Sequence, residues 1–280
     1  MRRVNKRSLQ VVNEHFEPIF NTAMATQVVF QQPARQFKTA LLLILCALSG
    51  LLGCANGGPG LSTMASTPEL ASTLAYIPVL EVDDKGAALP YEPRTNPYLS
   101  QRGRISKESV LSFIEARRAL KTGDLEQART VLLELTKTND RLSGPWVMLG
   151  DIAMEQDNYP QAVSHYTQAI AINDSNVNAY LRLAQVQRLQ GKFLIAQNTY
   201  ARVLAIWPDF PEAHLNLAVL YDVYLNHPLR AQKHMEAYQF LAESENEKVA
   251  GWLEEIQQRT GIAPGFDLEA GDSDSLSYNK

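Results

Sequence analysis

Cysteine is nearly absent from this 280-residue chain. Its two cysteines, Cys46 and Cys54, lie in or beside one N-terminal apolar run. The rest of the chain therefore has no thiol that could form a disulfide or ligate a metal ion.

An excess of basic residues is also missing, because the formal net charge is −4 at pH 7. Six of the 26 Lys and Arg and two of the 30 Asp and Glu fall in residues 1–53, which leaves 20 basic against 28 acidic residues in 54–280. A nucleic-acid-binding domain needs a basic surface. The sequence therefore predicts no nucleic-acid partner.

Enzyme motifs are missing as well. No HExxH zinc motif, GxSxG nucleophile elbow, GxxxxGK phosphate loop or GxGxxG dinucleotide loop occurs. The five histidines show no metal-ligand spacing, although two of them are seven residues apart: His15, His165, His214, His227 and His234. We therefore predict a non-enzymatic protein with no catalytic residue, metal, cofactor or small-molecule substrate.

The apolar run Thr39–Leu52 is too short to cross a membrane. It has 14 residues and a basic flank, whereas a membrane-spanning helix needs about 20 apolar residues. Its length and flank are typical of a signal peptide, so we interpret residues 1–53 as one. Because the run begins only at Thr39, Met24 offers an alternative start, and residues 1–23 would then be a mis-assigned start.

The apolar run ends in the sequence LLGC at residues 51–54. This motif resembles the lipobox of bacterial lipoproteins, and the resemblance implies a diacylglyceryl group on Cys54 and a lipid anchor in the membrane. Ala55 and Asn56 stand where an Asp would mark inner-membrane retention in Gram-negative bacteria. The resemblance thus implies the periplasmic face of the outer membrane, with the inner membrane as the alternative. The competing interpretation is an incidental cysteine that ends a short signal anchor.

Residues 54–104 are interpreted as the lipidated cysteine and a flexible linker. From about Gly57 onward the segment is rich in Pro, Gly, Ser and Thr. A coil of about 50 residues reaches roughly 40 Å. This linker would tether a folded domain to the membrane.

Internal periodicity dominates the second half of the chain. Rows of equal length that begin at Ser109, Ser143, Val177 and Pro211 align small residues in two columns. The aligned small residues are Ala116, Gly150, Ala184 and Ala218 in the first column, and Ala128, Ala162 and Ala196 in the second. Each row holds two apolar-periodic segments with a polar break, which predicts a helical hairpin. Such hairpins must stack to bury their apolar faces.

These rows resemble the tetratricopeptide repeat (TPR), and they share its period of about 34 residues. The second and third rows show the resemblance best. The second has Trp146, Leu149 and Gly150 followed by Ala162 and Tyr166, and the third has Tyr180, Leu183 and Ala184 followed by Ala196, Tyr200 and the closing Pro208. The resemblance implies an all-α fold, an α-solenoid of about four TPR hairpins over residues 105–245 plus a C-terminal capping helix.

Residues 246–260 are predicted to form the capping helix. Ser244 with Glu247 three residues later has the pattern of a capping box, and Gly261 is a stop signal. The remaining residues, 261–280, are acidic and are predicted to be disordered.

The resemblance also implies that the first helix of each hairpin lines an inner groove. Its mixture of apolar and polar side chains suits a protein or peptide partner, although an ordinary solvated face stays an alternative. The groove residues implied are Arg117, Lys121, Val147, Asp151, Met154, Asn178, Leu181, Gln185, Arg188, Leu215, Val219 and Asp222.

These features predict a membrane-anchored scaffold that binds partner proteins, in an envelope complex. Lipid anchor, spacer and repeats in this order resemble secretin pilotins of type IV pilus systems and accessory proteins of TonB-type systems, between which the sequence does not choose. An alternative of another class is an enzyme or accessory factor of envelope polysaccharide or peptidoglycan metabolism, which the missing catalytic motifs disfavour.

Overall fold

The computed structural model describes residues 69–81, 83–85, 89–101, 103–242, 246–263 and 265. Every regular element in these residues is helical, which confirms the predicted all-α fold class. The whole predicted signal peptide, residues 1–53, lies outside the described residues, as do Cys54 and the acidic tail beyond residue 265. Within the described ranges, no helix is long and apolar enough to span a bilayer.

Four helical hairpins stack in chain order, and one further helix packs on the last of them. The hairpin helices run from Lys107 to Leu241, compared with the predicted array of residues 105–245. The last helix begins one residue after its predicted start at residue 246. Their bounds are α1 Lys107–Lys121, α2 Leu125–Thr138, α3 Gly144–Glu155, α4 Tyr159–Ile172, α5 Val177–Leu189, α6 Phe193–Ile206, α7 Pro211–Val219, α8 Pro228–Leu241 and α9 Glu247–Thr260. This arrangement is the predicted α-solenoid.

The turn inside each hairpin repeats with the period of the sequence. Gly123, Asp157 and Gly191 occupy the same position in successive rows, and all have positive φ, at 78°, 54° and 73°. Gly adopts this left-handed conformation without steric cost, and Asp and Asn tolerate it better than other residues. In the fourth hairpin the corresponding residue is Asn226 at 54°, one position late. The hairpin therefore contains one inserted residue.

A five-residue π-helix, Leu220–Tyr224, accommodates this insertion by continuing α7. The backbone N–H of Leu225 donates to the carbonyl of Leu220 at 3.0 Å. Such wide turns inside helices are frequent at functional sites. The insertion places two tyrosines, Tyr221 and Tyr224, on one short segment.

Small residues in the aligned columns let the two helices of a hairpin approach closely. Ala162 and Ala196 are fully buried, and so are Tyr166 and Tyr200, one turn later in each helix. A Cβ atom on Gly150 would lie 2.4 Å from Cε1 of Tyr166, so only glycine fits against that ring. These contacts confirm the register of the repeat.

Polar side chains begin most of the helices. Asp124 and Asn158 each accept a hydrogen bond from the backbone N–H three residues later, as N-cap residues do. The capping helix differs from the prediction, because Asn246 rather than Ser244 is its N-cap and accepts from the N–H groups of Lys248 and Val249. Gly261 ends this helix at φ 69°, which agrees with the predicted stop.

Residues 69–81 and 89–101, which we call the strap, run along the array in extended conformation with two short helical turns. Ala71 and Thr73 bond to the last two hairpins. Further along, Tyr91 bonds to the loop before α7, and Gln101 bonds to the loop before α5. The prediction of a flexible linker over 54–104 is therefore wrong for the strap. Residues 54–68 lie outside the described residues.

Candidate partner-binding groove

The first helices of the hairpins, α1, α3, α5 and α7, form what we call the first-helix face. Helix α3 packs against α5, and α5 packs against α7. Nine of the predicted groove residues are half-buried or exposed there: Arg117, Lys121, Val147, Asp151, Met154, Asn178, Gln185, Leu215 and Asp222. Apolar side chains such as Val147 and Met154 alternate with polar ones along this surface.

Polar pairs join neighbouring first helices at repeated register positions. Asp151 on α3 lies 3.5 Å from Nε of Arg182 on α5. Gln185 on α5, one repeat after Asp151, donates to Asn216 on α7 at 3.4 Å. Asn216 is likewise one repeat after Arg182. The same geometric link therefore occurs twice, once as an ion pair and once as a neutral hydrogen bond.

The carboxylate of Asp151 also joins the two helices of its own hairpin. The hydroxyl of Tyr166 on α4 donates to Asp151 at 2.7 Å. Burial raises the pKa of Asp151, and the Arg182 guanidinium and the Tyr166 hydroxyl oppose that rise. Asp151 is thus held in place from two helices and is better suited to fixing the groove than to gripping a partner.

Three predicted groove residues are not on the surface. Leu181 and Arg188 are each 6% exposed and Val219 is 3% exposed. Leu181 belongs to the main hydrophobic core. Val219 lies one turn before Asp222, to which α9 is bonded. The register places these residues on the correct helices, but neighbouring elements cover them.

Arg188 was predicted to be an open interaction residue, and it is instead covered by Tyr224. Its Nη1 donates to the Tyr224 hydroxyl at 3.2 Å, and its guanidinium carbon lies 5.7 Å from the centre of the ring. The inserted residue in the fourth hairpin sets the position of Tyr224. The period of the sequence cannot predict this contact.

Helix α9 occupies the fourth-hairpin end of the first-helix face. Asp222 accepts a hydrogen bond from Nε1 of Trp252 at 2.9 Å and pairs with Arg259 at 2.6 Å. Asp222 was predicted to face a partner. Its carboxylate instead binds the capping helix, and the accessible groove is the part formed by α1, α3 and α5.

The sequence analysis missed the site where the strap enters the array, between α6 and α8. Gln197 on α6 donates to the Ala71 carbonyl at 2.8 Å and accepts from the Ala71 N–H at 3.0 Å. These two hydrogen bonds resemble those that a peptide group makes at the edge of a β-sheet. Here the side-chain amide of Gln197 takes the place of the neighbouring strand's backbone. The available signal was Gln197-Asn198, two amides together on a helix otherwise rich in apolar residues.

A chain of buried hydrogen bonds continues from Gln197 through the strap. Gln197 Nε2 donates to the Tyr221 hydroxyl at 2.8 Å, which lies 2.9 Å from Thr73 Oγ1. Thr73 Oγ1 lies 2.8 Å from His234 Nε2. Nδ1 of His234 lies 2.9 Å from Nδ1 of His214. All five side chains are buried.

The hydrogen bond that ends this buried series determines which ring nitrogen of each histidine carries a proton. His214 Nε2 lies 2.7 Å from the Pro208 carbonyl, which can only accept, so Nε2 carries the proton. Nδ1 of neutral His214 must then accept from Nδ1–H of His234, and Nε2 of His234 accepts from Thr73. Burial lowers the pKa of His214 to about 4, and burial, His214 and Arg230 hold the pKa of His234 well below its usual value. Both rings are neutral at pH 7.

A second anchor holds the strap at the loop before α7. Asp209 accepts from the Tyr91 hydroxyl at 2.6 Å and from the Arg94 N–H at 2.5 Å. Nε1 of Trp207 donates to the Arg94 carbonyl at 2.7 Å. Burial and the Asp209 carboxylate raise the pKa of Tyr91, so its hydroxyl keeps the donated proton at neutral pH.

Comparison with known proteins locates the repeat. Residues 150–191 match the family model described as TPR repeat. A stretch of 97 residues is 29% identical to human General transcription factor 3C polypeptide 3, over 34% of this chain and only 11% of that protein.

Solved structures with a similar arrangement include MamA from Desulfovibrio magneticus RS-1, at 19% identity and a TM-score of 0.48, over 56% of this chain and 88% of that one. A tetratricopeptide repeat protein from Parabacteroides merdae has 19% identity and a TM-score of 0.47, over 56% of this chain and 62% of that one. The family match over residues 150–191, together with the four stacked hairpins, supports a tetratricopeptide-repeat protein, and such repeats indicate a scaffold for protein–protein interaction.

Proposed function

We propose that this protein is a non-enzymatic, lipid-anchored scaffold that binds partner proteins on its first-helix face. The main support for this proposal is the position of the strap, which leaves the first-helix face uncovered. The strap lies between second helices and against the loops that join hairpins, whereas seven of the nine predicted groove residues on α1, α3 and α5 stay half-buried or exposed. A surface that mixes polar and charged groups with apolar side chains such as Val147 and Met154 suits a peptide or helix of another protein.

The strap also changes how we expect the scaffold to be tethered. If Cys54 is lipidated, 15 peptide units separate the anchor from Glu69, the first described residue of the strap. Fully extended, they span at most about 50 Å, and as a coil they would span roughly 20 Å. The array would therefore work close to the membrane surface, at a shorter distance than a linker of residues 54–104 allows.

The location proposed is the periplasmic face of the outer membrane, with the inner membrane as the alternative. The support for this is the LLGC motif followed by Ala55 and Asn56. Within the envelope, the role that we propose is the assembly of a multiprotein complex. A pilotin role and a role in a TonB-type system are two specific forms of it.

Affinity capture of the full-length chain from envelope extracts tests the proposal. We expect Met154→Glu on α3 to lose the captured partner, because it places a charge in the groove. Gln168→Glu, which adds the same charge at an exposed position on α4, is the matched control and should retain the partner. Loss of the partner with Gln168→Glu alone would contradict the proposed face.

Fractionation tests the anchor separately. Cys54→Ser should leave the precursor uncleaved and without lipid, so that no lipid-modified mature form is found in the membrane fraction. Mass spectrometry of the wild-type protein should show a lipid-modified Cys54 at a new N-terminus. An unmodified Cys54 within an intact N-terminal sequence would rule out the lipid anchor.

A further inference from the structure

Arg188 is a buried cation without an anionic partner. It is 6% exposed, and among the described residues no carboxylate pairs with its guanidinium. Its Nε has no hydrogen-bond partner, and neither does the fully buried hydroxyl of Tyr200. Burial raises the pKa of that hydroxyl, and the charge of Arg188 opposes the rise. A buried charge costs free energy unless it is paired, so the site is electrostatically incomplete.

Neighbouring arginines show what is missing. Arg182 on the same helix pairs with Asp151, and Arg259 pairs with Asp222. Asp222 occupies the register position of Arg188 in the next hairpin. Arg188 alone among these three has no carboxylate beside it and meets only tyrosines, Tyr224 and the buried Tyr200. A carboxylate would bind this guanidinium more strongly than a neutral phenol does.

Tyr224, which covers Arg188, is itself partly exposed to solvent. Tyr224 is 39% exposed and ends the π-helical turn. Its ring stacks on Phe193 with centroids 4.6 Å apart. A rotation of Tyr224 away from this stack would open the guanidinium to the surface without disturbing a helix interior.

Exposed apolar side chains lie next to or near the residues of this contact in the sequence, at the turn end of the third and fourth hairpins. Leu189, next to Arg188, is 47% exposed, and Val223, next to Tyr224, is 51% exposed. Ile195, two residues after Phe193, is 43% exposed. These side chains offer apolar surface that a bound segment could cover.

We propose that Tyr224 is a movable cover and that the site takes a peptide segment of a partner protein with one Asp or Glu flanked by apolar residues. The carboxylate pairs with Arg188, and the flanking side chains cover Leu189, Val223 and Ile195. This inference rests on the proposed function, since it names a segment that the scaffold recognises. It lies at the turn end of the array, beside the groove of α1, α3 and α5.

Selection of random linear peptides on the full-length chain tests the inference. We expect the enriched peptides to share one acidic position with apolar residues on both sides. The same selection on Arg188→Gln should lose the acidic position. Failure to enrich any peptide, or enrichment of peptides without a shared acidic residue, would overturn the proposal.

Titration of one selected peptide gives the quantitative test. Replacing its acidic residue with the matching amide should weaken binding to the wild-type chain by about tenfold or more, as expected for loss of a hydrogen-bonded charge. Arg188→Gln should bind both peptides equally weakly. Equal affinity of the two peptides for the wild-type chain would refute the carboxylate pairing without relying on any variant.

A variant of Tyr224 tests whether this side chain acts as a cover. Tyr224→Leu keeps an apolar side chain and removes the competing hydroxyl and ring, so it should tighten binding of the acidic peptide and leave that of the amide peptide unchanged. Weaker binding of the acidic peptide would show that Tyr224 is part of the contact rather than a cover. The envelope capture could succeed while the acidic and amide peptides bind equally well. That result would support the proposed scaffold function and refute only the Arg188 site.

Discussion

The third and fourth hairpins join their two helices differently at the same register positions, which we call the slot of each hairpin. In the third hairpin, Thr199 Oγ1 on α6 donates directly to Gln187 on α5 at 2.8 Å. In the fourth hairpin, the corresponding residues are Tyr221 and His234, and Thr73 of the strap bridges them at 2.9 and 2.8 Å. The third hairpin thus closes its own slot, whereas the fourth hairpin needs a residue from far earlier in the chain.

The difference shows that the strap is part of the fold of the fourth hairpin. Tyr221, His234 and Gln197 are buried polar residues whose hydrogen bonds are completed only when Thr73 and Ala71 are in place. Buried polar groups without partners are costly. The strap therefore stabilises the array as well as connecting it to the N-terminus, and the comparison of the two slots can be tested at single residues.

The largest effect is expected from His234→Phe. The change keeps a ring of similar size but removes the acceptor of the Thr73 hydroxyl proton and the donor to Nδ1 of His214. Each unsatisfied buried group costs about 1–3 kcal/mol, so we expect a loss of about 4 kcal/mol in the free energy of unfolding. Urea unfolding of wild-type and variant chains measures it. A loss below about 1 kcal/mol, the size of a single ordinary hydrogen bond, would contradict the bridged slot.

Lowering the pH should destabilise the folded protein through the histidines of the same slot. The pKa of His214 is lowered to about 4 in the folded protein, against about 6.5 in the unfolded chain. Below about pH 6.5 the unfolded chain binds the extra proton, so stability falls as the pH drops towards 4 and is constant at higher pH. His214 alone would account for about 3 kcal/mol over this window.

Unfolding free energies at pH 7 and pH 4 measure this loss. Carboxylates titrate in the same window, and the raised pKa of Asp151 acts in the opposite direction. The difference between the wild-type chain and a His214→Phe variant removes their contribution. Identical pH dependence of the two proteins would show that the histidine pair is not the origin of the acid sensitivity.

The repeating parts of this fold could be predicted because they depend on local spacing. Small residues one period apart, the turn residues and the stop at Gly261 all act within one hairpin or between neighbours. Ala162, Ala196, Tyr166 and Tyr200 are therefore buried as the register requires. The groove residues on α1 and α3 are at the surface for the same reason.

The parts that could not be predicted depend on contacts that the period does not contain. Thr73 meets Tyr221 across 148 residues and His234 across 161 residues, and a Pro-, Gly- and Ser-rich composition gave no indication of this docking. Arg188 is covered because a single inserted residue creates the π-helical turn that carries Tyr224. Such an insertion is visible in the sequence, but its geometric consequence is not.

Thr73→Val should have the next largest effect. Valine matches the shape of threonine but cannot bridge Tyr221 and His234. We expect a loss of about 2 kcal/mol in the free energy of unfolding, smaller than for His234→Phe because the histidine pair stays intact. Limited proteolysis should also show faster cleavage within the strap. Unchanged protection of the strap would mean that Asp209 and the loop contacts hold it without Thr73.

The smallest effect is expected from Thr199→Val, which removes the direct closure of the other slot. Gln187 is half-buried, so solvent can replace the lost hydrogen bond. Its net contribution is therefore about 0.5 kcal/mol, at the lower end for a neutral pair. No strap residue depends on Thr199, so the rate of strap proteolysis should not change. If Thr199→Val destabilised the chain as much as Thr73→Val, the two slots would be equivalent, and the strap would be a passive addition rather than a completing element.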